Sequence, residues 1–341
     1  MNTADDLNKA DELKKADGKP LPVDVPVTVL GGYLGAGKTT VLNHLLRTAN
    51  ERIVVLVNDF GSINIDEDLI ETTSDDKITL ANGCICCSLV DGLAAALAQV
   101  RLLDPRPARL VIEASGVADP ASIAAYAHGG GLELDSVVTV VDAETIRVRS
   151  NDPYVGDTVI RQLRAADLIV VNKADLVSAE QLAGLEAWLA AFAGSCPTIT
   201  ALHGRVSIDV VLGPVPDREA MTGLRDDSIR MGASVSHDAE SLFVSWNAVL
   251  EDRCDGELLR ALVASWPSDV LRVKGVIRTR GSEGGPDIRT VIHRVGNRVT
   301  ARDEGQWRGG PSRVIGIGLL GVTNVDELSR SVQVLLLTPP V

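Results

Sequence analysis

The sequence predicts an α/β protein with a doubly wound, mainly parallel sheet, followed by a smaller α+β domain. A length of 341 residues with a hydrophobic share of 45% is more than one compact domain of ordinary size requires. Short apolar runs alternate with amphipathic helical stretches over residues 27–212. Beyond a stretch rich in Gly, Pro and charge, the order changes to strand, helix, three strands and helix. Alternation followed by this segregated order is typical of an α/β domain joined to an α+β domain.

The elements of the first domain follow from their composition. Five apolar runs have the character of buried parallel strands: residues 27–30, 53–57, 110–112, 137–141 and 168–171. A shorter run at 77–80 resembles a further strand. Helices are predicted after Lys38 and over residues 89–103, 158–166 and 179–193. Strands that alternate with helices in this way imply a doubly wound sheet.

The domain boundaries are set by composition. Residues 1–22 are polar and charged, and we expect a mobile tail because they cannot bury enough apolar surface to fold. The first domain then covers 23–212, a linker with Gly and Pro turn signals covers 213–237, and the second domain covers 238–341. Its predicted strands are 242–249, 270–279, 290–300 and 314–320, and its predicted helices are 257–266 and 326–336.

Charge and cysteine usage exclude several classes of function. The net charge of -13 disfavours binding to nucleic acid or to an anionic membrane surface. We find no export signal and no apolar run of about 18 residues, so we expect a cytoplasmic protein that does not span a membrane. The five cysteines are an odd number and three of them lie within four residues, which favours a reducing compartment and metal or redox chemistry.

A phosphate-binding loop follows the first strand. Residues 32–39 read G-Y-L-G-A-G-K-T, which matches G-x-x-x-x-G-K-[ST] between a strand and a helix. The backbone N–H groups of such a loop and the following helix dipole bind phosphates. We expect Lys38 to bridge the β and γ phosphates and Thr39 to ligate Mg²⁺. The candidate nucleotide-binding residues of this segment are Gly32, Gly35, Ala36, Gly37, Lys38, Thr39 and Thr40. This pattern is that of a P-loop NTPase.

Besides the Thr39 hydroxyl, the predicted Mg²⁺ site needs a carboxylate close to the phosphate loop. Glu113 ends the strand at 110–112 and is therefore placed at the same edge of the sheet. Gly116 follows three residues later, and its backbone N–H could lie near the γ phosphate and sense its presence. The alternative for Glu113 is a partly exposed carboxylate at a strand end.

A third segment predicts which nucleotide base the protein binds. Asn172-Lys173-Ala174-Asp175 follows the strand at 168–171 and matches the N-K-x-D element of P-loop GTPases. The carboxylate of Asp175 can accept the N1 and N2 protons of guanine, Asn172 would tie the element to the phosphate loop, and the Lys173 stem would cover the base. The same four letters at 8–11 lie in the polar tail without a preceding strand, so we give them no role. These features favour GTP over ATP.

Three cysteines predict a metal site. In extended backbone Cys84 and Cys86 point to the same side, and the turn into the next helix can bring in Cys87. Three thiolates suit Zn²⁺, and Co²⁺ is also compatible. Two alternatives stay open: Cys84 and Cys87 could form a redox pair, or the thiols could pack as small apolar groups. Cys196 and Cys254 stand alone and are expected to be structural.

Five motifs in series resemble one family. They are the phosphate loop, Asn58-Asp59-Phe60-Gly61, Gly83-Cys84-Ile85-Cys86-Cys87, Glu113-Ala114-Ser115-Gly116 and Asn172-Lys173-Ala174-Asp175. In this order the chain resembles the CobW-like metal-chaperone GTPases. Residues 270–275 and 314–318 look like the C-terminal domain of that family, so the resemblance covers nearly all of the chain except the tail.

The resemblance implies a GTP-dependent metallochaperone. GTP and Mg²⁺ would order the switch segments, the thiolates would take up Zn²⁺, Co²⁺ or Fe²⁺, and GTP hydrolysis would release the metal to a client apo-metalloprotein. Relatives that activate nitrile hydratase make such an enzyme one candidate client. Lys38, Glu113 and Asp59, the acid of the first switch segment, are then the candidate catalytic residues. No arginine in the chain is assigned to the γ phosphate, so turnover should be slow until a client or a homodimer partner completes the site.

The sequence departs from the family in two places. Asp59 replaces the usual Glu and Ser62 stands where many members carry another Glu, which places a secondary metal site in doubt. The family's His-rich insertion is missing, so bulk metal storage is not expected. His44, in the first predicted helix, is interpreted as a packed residue, because no second ligand lies near it in sequence.

Two other functions remain open at this point. A P-loop kinase would transfer phosphate to a small acceptor, although the N-K-x-D element disfavours it. A non-enzymatic, nucleotide-gated adaptor would carry Zn²⁺ only as a structural ion. Free phosphate release without an acceptor would disfavour the first, and metal occupancy that changes during turnover would disfavour the second.

The second domain contains a basic segment. Residues 271–313 contain ten Lys and Arg but four Asp and Glu, a local net charge of +6 in an acidic protein. Such a run can be a solvated face of a sheet. It can also be a docking surface for an acidic client or for the acidic first domain.

Overall fold

The computed structural model describes residues 24–57, 77–79, 88–127, 131–194, 196–213, 242–250, 252–281 and 285–337. The predicted tail at 1–22, the predicted linker except for Gly213, the Asn-Asp-Phe-Gly motif at 58–61 and the cysteine motif at 83–87 lie outside these residues. The predicted domain boundaries therefore stay predictions.

The first domain is built on a seven-stranded sheet in which all paired strands are parallel. Its strands are β1 (Val25–Gly31), β2 (Ile53–Val57), β3 (Lys77–Thr79), β4 (Arg109–Glu113), β5 (Leu132–Asp142), β6 (Leu168–Asn172) and β7 (Thr198–Thr200). The strand order is β3-β2-β4-β1-β5-β6-β7, so the chain winds outward in both directions from β1. The predicted α/β doubly wound fold is confirmed.

Helices cover both faces of this sheet. They are α1 (Lys38–Thr48), α2 (Ser88–Arg101), α3 (Pro120–Ala124), α4 (Ile146–Ser150), α5 (Gly156–Arg164), α6 (Ala179–Ala193) and α7 (Ile208–Leu212). The apolar side chains of α1 and α7 pack on one face, and those of α2 and α3 pack on the other. Burial on both faces explains why the strands are continuous apolar runs rather than alternating ones. Helices α3, α4 and α7 have five residues each, too few to show a helical period in the sequence.

Within its described residues, the second domain is a five-stranded antiparallel sheet with two helices. Its elements are β8 (Phe243–Leu250), α8 (Gly256–Ser265), β9 (Val270–Thr279), β10 (Ile288–Val295), β11 (Arg298–Gln306), β12 (Ser312–Leu319) and α9 (Val325–Leu337). The strand order is β11-β10-β9-β12-β8. Trp246 and Trp266 meet edge to face in its core, with ring centroids 5.4 Å apart. The predicted α+β domain is confirmed.

One predicted strand is wrong. The run at 290–300 is a hairpin rather than a single strand, because β10 and β11 are antiparallel neighbours joined by Gly296 and Asn297. Gly296 has a φ of 54°, the left-handed conformation that two-residue hairpin turns require. Apolar and polar residues continue on both sides of this turn, so the pattern alone did not reveal the break.

Two buried arginines anchor helix α7 at the contact between the domains. Arg109, at the start of β4, donates to the carbonyl oxygens of Leu212 and Gly213. Arg272, on β9 of the second domain, donates to the carbonyl oxygens of Val210 and Val211. The last carbonyls of a helix have no partner within the helix, so one cation from each domain satisfies them. A one-turn helix is thereby fixed to both domains.

A buried ionic cluster lies beside this helix. Arg272 is 1% exposed and donates to Asp135 Oδ2 at 2.6 Å and to Ser136 Oγ at 2.8 Å, both on β5. Burial is the largest single influence on Asp135 and would raise its pKa, but the neighbouring cations, Arg272 first, and the hydrogen bond from Arg272 together outweigh it and hold that pKa below its usual range. His293 Nε2 lies 3.2 Å from Asp135 Oδ1, and burial lowers the pKa of His293 to about 4. At neutral pH the imidazole is therefore uncharged, and it lies next to the carboxylate.

The basic segment continues this contact at its edge. Arg298 pairs with Asp167 at 3.1 Å, and Arg302 pairs with Asp24 at 2.7 Å. Arg294 is buried inside the second domain, where it donates to backbone carbonyls such as that of Val263. A solvated face is therefore wrong for the buried Arg272 and Arg294, whereas Arg298 and Arg302 stay partly exposed to solvent. Arg272, Arg298 and Arg302 instead pair with aspartates of the first domain, as the predicted docking surface for that domain requires.

Candidate functional site

The phosphate loop joins β1 to α1, and its glycines are required by its backbone. Gly32, Gly35 and Gly37 have φ values of 134°, 77° and 97°. A Cβ on Gly32 would overlap the carbonyl oxygen of Val140, and a Cβ on Gly37 would overlap Asn172 Nδ2. The positive φ values and the close approach of two other segments leave glycine as the residue that fits at both positions.

The first residues of α1 meet the end of β4. Lys38 is buried, with 8% of its surface exposed. Thr39 Oγ1 donates to Glu113 Oε1 at 2.7 Å. Glu113 is also buried, and it lies opposite Leu30 of β1 in the sheet register. The hydroxyl and the carboxylate are hard oxygen donors at the mouth of the loop, so the residues present fit Mg²⁺.

The segment after β4 packs directly on the phosphate loop. A Cβ on Gly116 would lie 2.7 Å from the backbone nitrogen of Leu34. Gly116 is therefore in close contact with the loop, as its proposed proximity to the γ phosphate requires. Thr40, the next nucleotide-binding candidate, lies in the first turn of α1.

The base-reading element is joined to the phosphate loop. Asn172 ends β6 and is 2% exposed, and its Nδ2 donates to the Ala36 carbonyl oxygen at 3.0 Å. Lys173 has a left-handed backbone with φ of 59°, and its Nζ contacts Asp142 Oδ2 at 2.8 Å. Asp175 follows in a short 3₁₀ turn and lies 3.7 Å from His203 Nδ1. All the predicted nucleotide-binding residues lie in described segments, and the contacts of Asn172 and Gly116 bring the base-reading element and the segment after β4 to the phosphate loop.

One loop of this site was not predicted. Residues 201–204 follow β7 and surround the base-reading element: Gly204 N donates to Asn172 Oδ1 at 2.9 Å, and Ala174 N donates to the Ala201 carbonyl oxygen at 3.3 Å. A Cβ on Gly204 would lie 2.9 Å from Thr40 Cγ2, so the loop also touches α1. The strand ahead of it has three residues, too few to show the alternation of a strand in the sequence. Three β-branched residues in a row, Thr198-Ile199-Thr200, with a glycine four residues later, were the available signal.

The predicted metal ligands Cys84, Cys86 and Cys87 lie outside the described residues, as does the catalytic candidate Asp59. Within the part of the chain that the structure describes, no group of three or more His, Cys, Asp or Glu side chains is placed to hold a metal ion. His44 Nε2 lies 3.0 Å from the Val206 carbonyl oxygen, as a packed histidine does.

The two isolated cysteines have the surroundings of structural residues. Burial raises the pKa of the Cys196 thiol to about 12 and that of the Cys254 thiol to about 11. Both are therefore protonated at neutral pH and are poor metal ligands.

None of the helices in the described segments is long and apolar enough to cross a membrane.

Two family models cover most of the chain. The model for the CobW/HypB/UreG nucleotide-binding domain matches residues 26–200, and the model for the C-terminal domain of the cobalamin synthesis protein cobW matches residues 243–332. The first match contains the phosphate loop and the base-reading element, and the second runs from the start of β8 into α9.

Curated relatives agree with these matches. The zinc chaperone CobW of a Sinorhizobium species is 30% identical over 339 residues, covering 89% of this chain and 94% of the relative. The zinc chaperone CobW of Pseudomonas aeruginosa is 28% identical over 342 residues, covering 87% of each. The zinc-regulated GTPase metalloprotein activator 1 of Schizosaccharomyces pombe is 34% identical over 171 residues, covering 46% of this chain and 41% of the relative.

These matches explain both the contact between the phosphate loop and the base-reading element and the two-domain architecture. The chain belongs to the CobW/HypB/UreG family of nucleotide-binding proteins and carries the CobW C-terminal domain.

Proposed function

We propose that this chain is a GTP-dependent metallochaperone that takes up Zn²⁺ through Cys84, Cys86 and Cys87 and delivers it to a client apo-metalloprotein on GTP hydrolysis. The observation that carries the nucleotide half is the hydrogen bond from Asn172 to Ala36, which joins the base-reading element to the phosphate loop. The metal half is supported by the thiol motif and by relatives named zinc chaperones. Zn²⁺ is therefore preferred over Co²⁺ and Fe²⁺ as the cargo.

The chain is a GTPase. Its family is a nucleotide-binding one, and the Schizosaccharomyces pombe relative is named a GTPase. The backbone N–H groups of the phosphate loop would hold the phosphates, with Lys38 between the β and γ groups. Thr39 and Glu113 would hold Mg²⁺ directly or through its water, and the ion would neutralise charge on the phosphates. Gly116 would report whether the γ phosphate is present.

We expect Asp175→Asn to lower the affinity for GTP by about 30-fold, which corresponds to about 2 kcal/mol for hydrogen bonds to a charged acceptor. The amide of asparagine cannot accept both guanine protons. It can donate to the C2 carbonyl of xanthine, so the affinity for xanthosine triphosphate should rise. Titration of both nucleotides by calorimetry measures the change in preference.

The matched control is Asp157→Asn, which removes an exposed carboxylate from α5 in the same domain. This control should leave both affinities unchanged. An unchanged preference for GTP in Asp175→Asn would contradict the role of Asp175 in reading the base.

We expect the affinity for Zn²⁺ to differ by about tenfold or more between the protein with GTP and Mg²⁺ and the protein with GDP, because a switch requires differential affinity. Competition with a chromophoric chelator measures both constants. The double variant Cys84→Ser with Cys86→Ser should lose the GTP-dependent site. Cys196→Ser, which removes an isolated and largely buried thiol, should retain it.

Equal Zn²⁺ affinity in both nucleotide states would contradict the proposal. Metal occupancy that stays constant through turnover, with client binding that follows the nucleotide alone, would instead support an adaptor with a structural ion. Competition among Zn²⁺, Co²⁺ and Fe²⁺ on the GTP-bound protein decides the cargo.

A further inference from the structure

Helix α5 carries a buried glutamine that contacts the segment after β4. Gln162 is 2% exposed. Its Nε2 donates to the carbonyl oxygens of Gly116 at 3.0 Å and of Ala118 at 2.9 Å. A side-chain amide nitrogen has two hydrogens, so both donors of Gln162 are committed to this one segment.

The helix that holds Gln162 is itself fixed to the sheet. The backbone carbonyl of Gln162 accepts a hydrogen bond from Thr139 Oγ1 on β5 at 3.0 Å. Val159 and Leu163, on the same helix, are buried at 1% exposure in the core beneath it. The side chain therefore extends from a helix that is fixed to the sheet, and its amide has little freedom to follow a displacement of residues 116–118.

The contacted segment lies between the glutamine and the phosphate loop. Gly116 approaches Leu34 of the loop so closely that no side chain fits there, and the turn is closed by Ala118 N donating to the Ser115 carbonyl oxygen at 2.9 Å. Two hydrogen bonds from one amide fix two peptide planes of a short turn. The orientation of the backbone at Gly116 therefore depends on Gln162.

We propose that Gln162 is a positioning residue that sets the backbone of residues 116–118 for discrimination between GTP and GDP. This inference rests on the proposed role of Gly116 at the γ phosphate. Gln162 acts only through the segment, and its carbonyl partners belong to the part of the site that changes between the two nucleotides. Binding of the base and of the α and β phosphates uses other segments and does not depend on it.

The test compares Gln162→Met with Val159→Ala. Methionine has a similar length and cannot donate, whereas Val159→Ala weakens the packing of the same helix and leaves both hydrogen bonds in place. The affinities for GDP and for a non-hydrolysable GTP analogue, kcat and KM for GTP, and stability to urea are measured for both variants and the parent protein.

We expect Gln162→Met to lower the ratio of analogue to GDP affinity by about tenfold, with GDP affinity held within about twofold and kcat reduced. Val159→Ala should lose stability and keep the parental ratio. Equal loss of the ratio in both variants would show a purely structural role and overturn the inference.

An unchanged ratio in Gln162→Met, in a parent protein that does discriminate, would also overturn the inference and leave the proposed function intact. A parent protein that binds the analogue and GDP equally would overturn both, because no discrimination would exist for Gln162 to support.

Discussion

Replacement of Lys38 with methionine is expected to reduce the rate of GTP hydrolysis by about 10²- to 10³-fold, the usual effect of removing one preorganised donor from a transition state. Lys38 is 8% exposed at the start of α1, beside the Thr39 hydroxyl that contacts Glu113. Its ammonium would stabilise the charge that develops between the β and γ phosphates. Methionine keeps the length of the side chain and removes that charge.

The measurement is single-turnover release of phosphate, with GDP affinity recorded in parallel. GDP binding should weaken less than turnover, because the γ phosphate is absent from it. Arg47→Met is the control, since it removes an exposed cation from the same helix. A turnover rate for Lys38→Met equal to that of the control would contradict the assignment of the loop.

Replacement of Arg272 with methionine is expected to lower the free energy of unfolding by about 3–5 kcal/mol, the usual cost of removing one partner of a buried ion pair. Arg272 and Asp135 are 1% and 3% exposed, and their charged atoms are 2.6 Å apart. The variant leaves a buried carboxylate without its main counter-charge. It also leaves the carbonyls of Val210 and Val211 without the donor from the second domain.

Urea unfolding of the full chain measures this loss. Arg260→Met is the matched control, because Arg260 forms an exposed pair with Glu257 at 3.8 Å and such pairs contribute little. Adding Asp135→Asn to Arg272→Met should restore part of the stability, since the uncompensated charge is then removed. An Arg272→Met protein as stable as the control would contradict the view that this pair holds the domains together.

Strand β5 connects this interdomain contact with the nucleotide site. Asp135 and Ser136 lie near its start and contact Arg272. Val140, farther along the strand, packs against Gly32 of the phosphate loop, and Asp142 at its end pairs with Lys173. One strand therefore touches the second domain, the phosphate loop and the base-reading element. The second domain is attached to the part of the first domain that holds the nucleotide.

The sequence by itself determined the phosphate loop, the base-reading element and the alternation of strands and helices. Each depends on residues within a few positions of one another: glycine where φ is positive, an apolar run for a strand buried on both faces, and Asn-Lys-Ala-Asp directly after β6. For the same reason the bounds predicted for α6 and β9 agree with the structure. The hairpin at Gly296 was missed, although its signal was equally local, because the strand pattern continued across it.

Only the tertiary structure decided which polar residues meet. Gln162 lies 46 residues from Gly116, and Arg272 lies 137 residues from Asp135. In the sequence Gln162 is one polar residue of an amphipathic helix, and Arg272 is one of ten cations in a basic segment. A buried donor or charge is stable only where an acceptor or counter-charge is brought to it. That condition is met by strand order and domain contact, which the local pattern does not contain.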